Sequence, residues 1–480
     1  MSLFILFQEP FYRAVVASRV IRPLRLPDST EIKILGYADD STLPVMDDAS
    51  LLEIYSLIIK FEKAMGSKLN KNKTKIYGTG NWKNRTQWPL DWIQVENDYL
   101  FTLGLYHSNN HNSSVAKNWD VTINSLTAHS NIILNRRLSL HQRVTYANTC
   151  MLSKIWYISH TYPLTKVFSK KINKIVFNYV WGGRYEPIRR TTIYRPKDEG
   201  GLAIINCLIK SKVIMMNTFL KCYIHDEYRN SLMYYYCYIR LTNMLPSNYS
   251  IHNASPITTT YYDVIINDLR NILHIPGFPV TPKDKLYMCM LTKEESLAEF
   301  QYPTLNWKNI WKNYMSLFIY SFDKEIVYKH LHVCLATNKK LYTMNLINSD
   351  RCNKCTADRE QTPLHIFYEC ENIQTLFMWL IRVLFYITDF KPISNIKFIY
   401  FDNKYRNRQQ KDMCNIFISV YILTVWKMRK ENLRIAILKS MIINKVLGTI
   451  NIIKHIPNTS VESILGNYVS KVELEVLLRL

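Results

Sequence analysis

The stretch from residue 115 to 235 most limits what this chain can fold into. Its apolar residues recur at helical spacing, in runs broken at Pro163, Trp181-Gly182-Gly183, Pro187 and Pro196 to Gly201. Runs of that period do not fit a sheet, where side chains switch faces at every residue. The expectation is a body of helices punctuated by Pro and Gly. With 12 glycines and 33 tyrosines in 480 residues, the chain is a poor match for a doubly wound nucleotide-binding fold. Leu245 to Tyr261, rich in Pro, Ser, Asn and Thr, reads as a linker. Helical patterns resume after it to about residue 350, and a Cys/His cluster and further helices follow. The length exceeds one compact core and predicts two to four domains.

Lys and Arg number 61 against 38 Asp and Glu, a net charge of +23. Such a surplus draws polyanions, although an AT-rich coding bias would also enrich Lys, Asn, Ile and Tyr. The ten cysteines are scattered, with only three close together. That is not the framework of a small secreted domain, so reduced thiols and an intracellular protein, in the nucleus or cytoplasm, are expected. Met1 to Phe7 is apolar but runs directly into Glu9-Pro10, without a basic n-region or small-residue cleavage site. Ile416 to Trp426 is too short to span a bilayer and reads as a buried helix, so no membrane partner is expected.

Residues 31–46 read as a β-hairpin. Ile32 and Ile34 alternate with Lys33 and Leu35, and Tyr37-Ala38-Asp39-Asp40 turns the chain. Ser50 and Glu53 fit a capping box for a helix with an apolar stripe at Leu51, Leu52, Ile54, Tyr55, Ile58 and Phe61, and Gly66 stands where a C-cap belongs. An Asp-Asp pair in a turn is more often solvated than functional. Placed between a strand and a capped helix, however, two carboxylates suit hard divalent cations such as those that drive nucleotidyl transfer.

Cys352-x2-Cys355-x9-His365-x4-Cys370 is a second cluster. Three thiols and an imidazole at this spacing are a tetrahedral zinc set, and Arg351, Lys354 and Arg359 add charge that favours thiolates. A third group is basic. Arg136, Arg137 and Arg143 lie in a helical stretch with Lys154, Lys166, Lys170, Lys171 and Lys174, interleaved with Trp156, Tyr157 and Tyr162. The three arginines read as phosphate contacts, and Trp156 and Trp181 as core.

Taken together, these segments resemble the reverse transcriptases of non-LTR (LINE-type) retrotransposons. Tyr37 to Asp40 is similar to the Y/F-A-D-D motif. Gly66, Leu69, Asn70 and Lys73 resemble the "GxxLNxxK" signature, and Glu9-Pro10-Phe11 the "EPL" segment. Phe101 to Tyr106 resembles the "YLGI" primer-grip pair, with Phe-Thr in place of its first Tyr. Leu138 to Val144 resembles "LSLxGRV". Trp156-Tyr157, Trp181-Gly182-Gly183 and Pro196 to Leu202 are similar to later landmarks, in the same order.

The resemblance implies a mostly α protein with a small antiparallel β palm remnant. The implied divisions are a partial palm (1–110), a helical thumb (111–245), a linker (246–262), a helical region (263–350), a CCHC zinc knuckle (351–380) and C-terminal helices (381–480). Asp39 would be the main ligand of Mg²⁺ (or Mn²⁺), Asp40 would assist, and Lys73 would lie near the incoming triphosphate. An RNA template and a DNA primer or target would be the partners, with another element-encoded protein as a further one. The zinc knuckle would contact nucleic acid or serve as a folding staple. The family's first catalytic Asp precedes its "EPL" segment, and eight residues precede Glu9 here, so this chain alone is expected not to polymerise. Two alternatives remain: a non-catalytic RNA- or DNA-binding protein built from thumb and knuckle, and a product with no stable role.

Overall fold

The computed structural model describes residues 2–26, 30–224, 283–292, 294–431, 433–455, 468 and 472–480. The expected linker lies outside the described residues. The strands are β1 (Leu24–Arg25), β2 (Glu31–Ile32), β3 (Leu35–Tyr37), β4 (Asp40–Thr42), β5 (Lys75–Tyr77), β6 (Gln94–Glu96), β7 (Leu100–Thr102) and β8 (Leu105–His107). The first helices are α1 (Ser2–Ala17), α2 (Asp48–Met65), α3 (His111–Leu134), α4 (Leu140–Tyr146), α5 (Ser153–Ser159), α6 (Lys166–Val180), α7 (Arg190–Tyr194) and α8 (Cys207–Ile224). After these come α9 (Lys283–Met290), α10 (Leu297–Gln301), α11 (Trp307–Met315), α12 (Ser321–Leu331) and α13 (Asn338–Thr343). The last are α14 (Glu371–Thr388), α15 (Asn395–Ile399), α16 (Arg408–Met428), α17 (Ile435–Lys454) and α18 (Leu474–Arg479). The protein is thus mostly helical with small sheets, and the helices break where Pro163, Trp181-Gly182-Gly183, Pro187 and Pro196 stand.

Two compact units form, one from Met1–His129, Leu152–Asn173 and Cys207–Met290, the other from Ser130–Met151, Lys174–Asn206 and Leu291–Leu480. In the first unit, α1 and α2 pack around Val15, Ile21 and Ile54, with Phe11 of α1 beside them, and Ile34, Leu43 and Val45 close this core from the hairpin side. The hairpin is narrower than the sequence pattern predicts. β3 pairs β4 from Leu35↔Thr42 to Tyr37↔Asp40, whereas β2 pairs back onto β1. The cap of α2 also differs. Asp47, not Ser50, is the N-cap and accepts from the Ser50 N–H at 2.8 Å, while the Ser50 hydroxyl accepts from the Arg22 N–H at 2.9 Å. Both residue types cap helices well, and the buried Ser50 is claimed by the incoming chain. Gly66 closes α2 in the left-handed conformation, as expected.

β5 and β6 pair in parallel, and β7 and β8 form a further antiparallel hairpin. The Asn118 side chain on α3 holds β8 by donating to Tyr106 O (2.7 Å) and accepting from Tyr106 N–H (3.0 Å). Tyr157 donates to Leu103 O at the tip of this hairpin.

In the second unit α16 is the hub. Residues Asp412 to Trp426 are all buried, which fulfils the expectation of a buried helix at Ile416 to Trp426. α17 packs on it and buries Leu438, Ile442, Ile443, Val446, Ile450 and Ile453. This stripe belongs to the one described helix long and apolar enough to cross a membrane, Ile435–Ile453. A bidentate ion pair, Arg195 to Glu299 at 2.8 and 2.9 Å, ties the segment after α7 to α10.

Candidate metal centre and hairpin site

Residues 350 to 361 fold back on themselves. Cys352 N–H donates to Arg359 O (2.9 Å), Gln361 N–H donates to Asp350 O (2.8 Å), and Arg351 bridges Glu360. This small hairpin presents Cys352 and Cys355 from one knuckle. His365 and Cys370 come from the next segment by a route the sequence does not announce. Side chains five apart on an α-helix point to different sides, since five residues turn the helix well past one revolution. Here His365–Glu369 is a π-helical turn, and Cys370 N–H donates to His365 O at 2.8 Å. That i to i+5 bond brings residues five apart onto one side. Thr362 Oγ1 accepts from the His365 N–H (3.1 Å) and fixes the start of the turn.

The four ligand atoms of Cys352, Cys355, His365 and Cys370 all lie within 4.8 Å of one another. Zinc about 2.3 Å from sulfur and about 2.0 Å from nitrogen sets a tetrahedral S–N edge of about 3.5 Å. Cys355 Sγ and His365 Nε2 stand 3.5 Å apart. The set therefore fits a tetrahedral soft-ligand ion such as zinc, which would act there as a structural cross-link.

The electrostatics agree. Burial holds the His365 pKa below its ordinary value, in the neutral form that ligates. Burial works against the Cys352 thiolate, but the Lys354 and Cys355 N–H groups and the neighbouring thiols outweigh it and lower its pKa. Cys370 is the N-cap of α14, where the helix dipole favours a thiolate. Even so, burial and the sulfurs of Cys352 and Cys355 push it up to about 12, against the Asn372 N–H. A divalent cation relieves that crowding. Outer contacts hold the knuckle in place. Thr356 donates to Glu371 (2.8 Å), and Asn338 donates to Arg351 O (2.7 Å) and Asn353 Oδ1 (3.0 Å). None of these outer residues carries a motif of its own.

The aspartate pair sits at the tip of β3–β4. Ala38 has φ 54 in the turn, Asp39 follows it, and Asp40 opens β4 opposite Tyr37. Both carboxylates are exposed. The hairpin rests on α1 at Gly36, where a Cβ would stand 2.5 Å from Tyr12 Oη, so only glycine lets the Tyr12 ring lie against it. Tyr12 Oη also meets Ser41 Oγ at 3.0 Å. Glu9-Pro10-Phe11 thus lies on the helix that supports the tip. Lys73 is exposed in the turn after α2, with its N–H donating to Asn70 O (3.0 Å). Among the described residues, the Cys/His set is the only group of three or more metal-ligating side chains close enough to share an ion. Among the described residues Asp39 and Asp40 have no third carboxylate close enough to share an ion, and as a pair they do not make a two-metal centre, so no catalytic step through Mg²⁺ follows from them.

Arg136 and Arg137 are exposed. Arg143 departs from the expectation of a phosphate contact. It lies at an N-capped helix, with the Ser139/Gln142 capping box of α4 before it, and its guanidinium turns inward to Glu325 at 3.7 Å. It also occupies the space a side chain would need at Gly182, where φ is +64 and a Cβ would stand 2.2 Å from Nη1. Trp181 is buried as expected, and Trp156 is half-buried.

No protein-family model matches this chain, and no curated protein is significantly similar to it.

Proposed function

We propose that this chain carries the aspartate-hairpin, thumb and zinc-knuckle portions of a non-LTR retrotransposon reverse transcriptase, and that these residues bind RNA template and DNA primer or target without polymerising by themselves. The observation that carries the reading is the β3–β4 hairpin. It lifts Asp39 and Asp40 into solvent, rests on the helix bearing Glu9-Pro10-Phe11, and leads into a helix closed by Gly66. The net charge of +23 supplies the attraction to phosphate backbones. Exposed Arg136 and Arg137 serve as phosphate contacts, and the Cys/His set holds zinc in a reducing, intracellular compartment.

A second reading, a nucleic-acid-binding protein with no catalytic role at all, is favoured by one observation: the pair of carboxylates lacks a third ligand among the described residues. Primer extension on an RNA template with Mg²⁺ distinguishes the two. Both readings expect no incorporation from the purified chain alone. Incorporation restored by adding a polypeptide that carries the earlier palm strand, and lost again in Asp39→Ala, supports the polymerase reading. Incorporation by this chain alone that disappears in Asp39→Ala overturns the claim of inactivity.

A further inference from the structure

The second unit contains a cavity of about 640 Å³ that the motifs above do not touch. Four cations line it: Lys312 from α11, Lys324 from α12, and Arg408 and Lys411 from the first turn of α16. Asp412 is its one acidic residue, and Met315 and Phe318 supply apolar wall. Among the described residues, Lys312, Lys324 and Lys411 have no ion pair within 4 Å, and Asp412 pairs with Arg408 at 3.6 Å while its charge also reaches Lys411.

The placement is costly for the protein by itself. The first turn of a helix carries the positive end of its dipole, so Arg408 and Lys411 there oppose α16, which has no acidic residue in that turn. Burial lowers the pKa of Lys411, and Lys312 and Arg408 add to that against the opposing charge of Asp412, while burial with Lys197 lowers that of Lys324. An anion in the cavity would relieve all three strains.

Two further features say what else that anion carries. The volume suits a group larger than a bare phosphate, and half-buried Phe318 offers a ring face. Asp412 is buried, and its Oδ2 faces the Arg408 guanidinium at 3.6 Å, so the cavity stays cationic on balance.

We propose that this cavity takes one unstacked nucleotide of a single-stranded nucleic acid, its phosphates among Lys312, Lys324, Arg408 and Lys411 and its base against Phe318. A paired duplex cannot place a base inside a concave site, whereas a single strand can. The inference rests on the nucleic-acid binding proposed above and adds to it a contact made by residues other than those of the hairpin and the knuckle.

The test is fluorescence anisotropy of the full chain with a labelled single strand of about ten nucleotides, over a range of salt. Each lost phosphate contact lowers the slope of log K against log salt by about 0.7, so Lys312→Gln with Lys411→Gln should lower it by about 1.4 and weaken binding roughly 25-fold near 0.1 M salt. The exposed pair Lys308→Gln with Lys404→Gln, equal in charge, should leave the slope unchanged. A free 5′-mononucleotide should displace the strand at lower concentration than inorganic phosphate does. An equal slope change in the control pair, or equal displacement by inorganic phosphate, overturns the proposal. Should the double variant fail to fold, photo-crosslinking of a thiolated strand to the unaltered chain decides. Crosslinks within residues 315–318 support the site, and crosslinks only elsewhere refute it. Binding by the unaltered chain with no change in the cavity variant sinks this inference alone, whereas no binding at all sinks the proposed function with it.

Discussion

Replacing Cys370 with serine separates the metal from the fold around it. Cys370 is buried, ends the π-helical turn and stands at the N-cap of α14 with extended backbone. Serine is nearly the same size and is a preferred N-cap residue, so Cys370→Ser keeps the helix start while removing a soft ligand. Without metal the change should be close to neutral. With metal the difference is the binding free energy, which at free zinc about 1,000-fold above Kd is about 4 kcal/mol. In a unit of 150 to 250 residues each kcal/mol moves Tm by about 2–4 °C, so the expected shift is about 8–16 °C. Calorimetry with zinc and with a chelator, beside elemental zinc analysis, reads this out. The unaltered protein should hold about one zinc per chain and lose that increment on chelation, whereas Cys370→Ser should start low and not respond. If chelation shifts both proteins equally, or neither, the metal argument is wrong.

Other outcomes follow from the same structure. Burial holds His330 and His332 near pKa about 4 in the fold, against 6.5 when free. The unfolded chain therefore binds more protons between these values, and stability falls as pH drops through that window, by up to about 1.4 kcal/mol per pH unit for each histidine. Urea midpoints measured from pH 7 to pH 4.5 should fall steadily, and a flat profile would refute the burial. Gly182→Ala meets both a left-handed φ and the Arg143 guanidinium, so it should cost about 1–2 kcal/mol for the backbone alone and more for the clash. Adding Arg143→Ala should recover only the clash, as a double-mutant cycle will show. Asp47→Ala should cost about 1 kcal/mol through loss of the α2 cap, whereas Glu53→Ala should cost nothing through capping, since Asp47 holds that role. Equal losses in chemical denaturation would restore the capping-box reading.

What the sequence disclosed was local. Helical breaks at Pro163 and Pro196, the Gly66 cap and the tip at Ala38-Asp39 depend on residues within one turn of each other, and pattern reaches that far. The cap of α2 was misplaced because Asp47 and Ser50 both favour that role, and only the Arg22 N–H, which occupies the Ser50 hydroxyl, decides between them. Arg143 looked available because its partner Glu325 is far along the chain. The parallel β5–β6 pair joins three-residue strands with no α-helix between them, only a single 3-10 turn at Gly80–Trp82, which leaves no periodic trace. At the Cys/His set the ligand types were legible, but the turn that aligns His365 with Cys370 was not, since a spacing of five suits an α-helix poorly and says nothing of a π bond. The cavity at Lys312 and Lys411 gathers residues from three helices, and charge composition alone cannot group them.

The claim that this is a nucleic-acid-handling protein is met most directly by titrating the full chain with an RNA–DNA primer–template across a salt series. The account predicts tight association at low salt and a log–log slope of about −4 or steeper, as several phosphate contacts require. Absent or salt-insensitive association would contradict it.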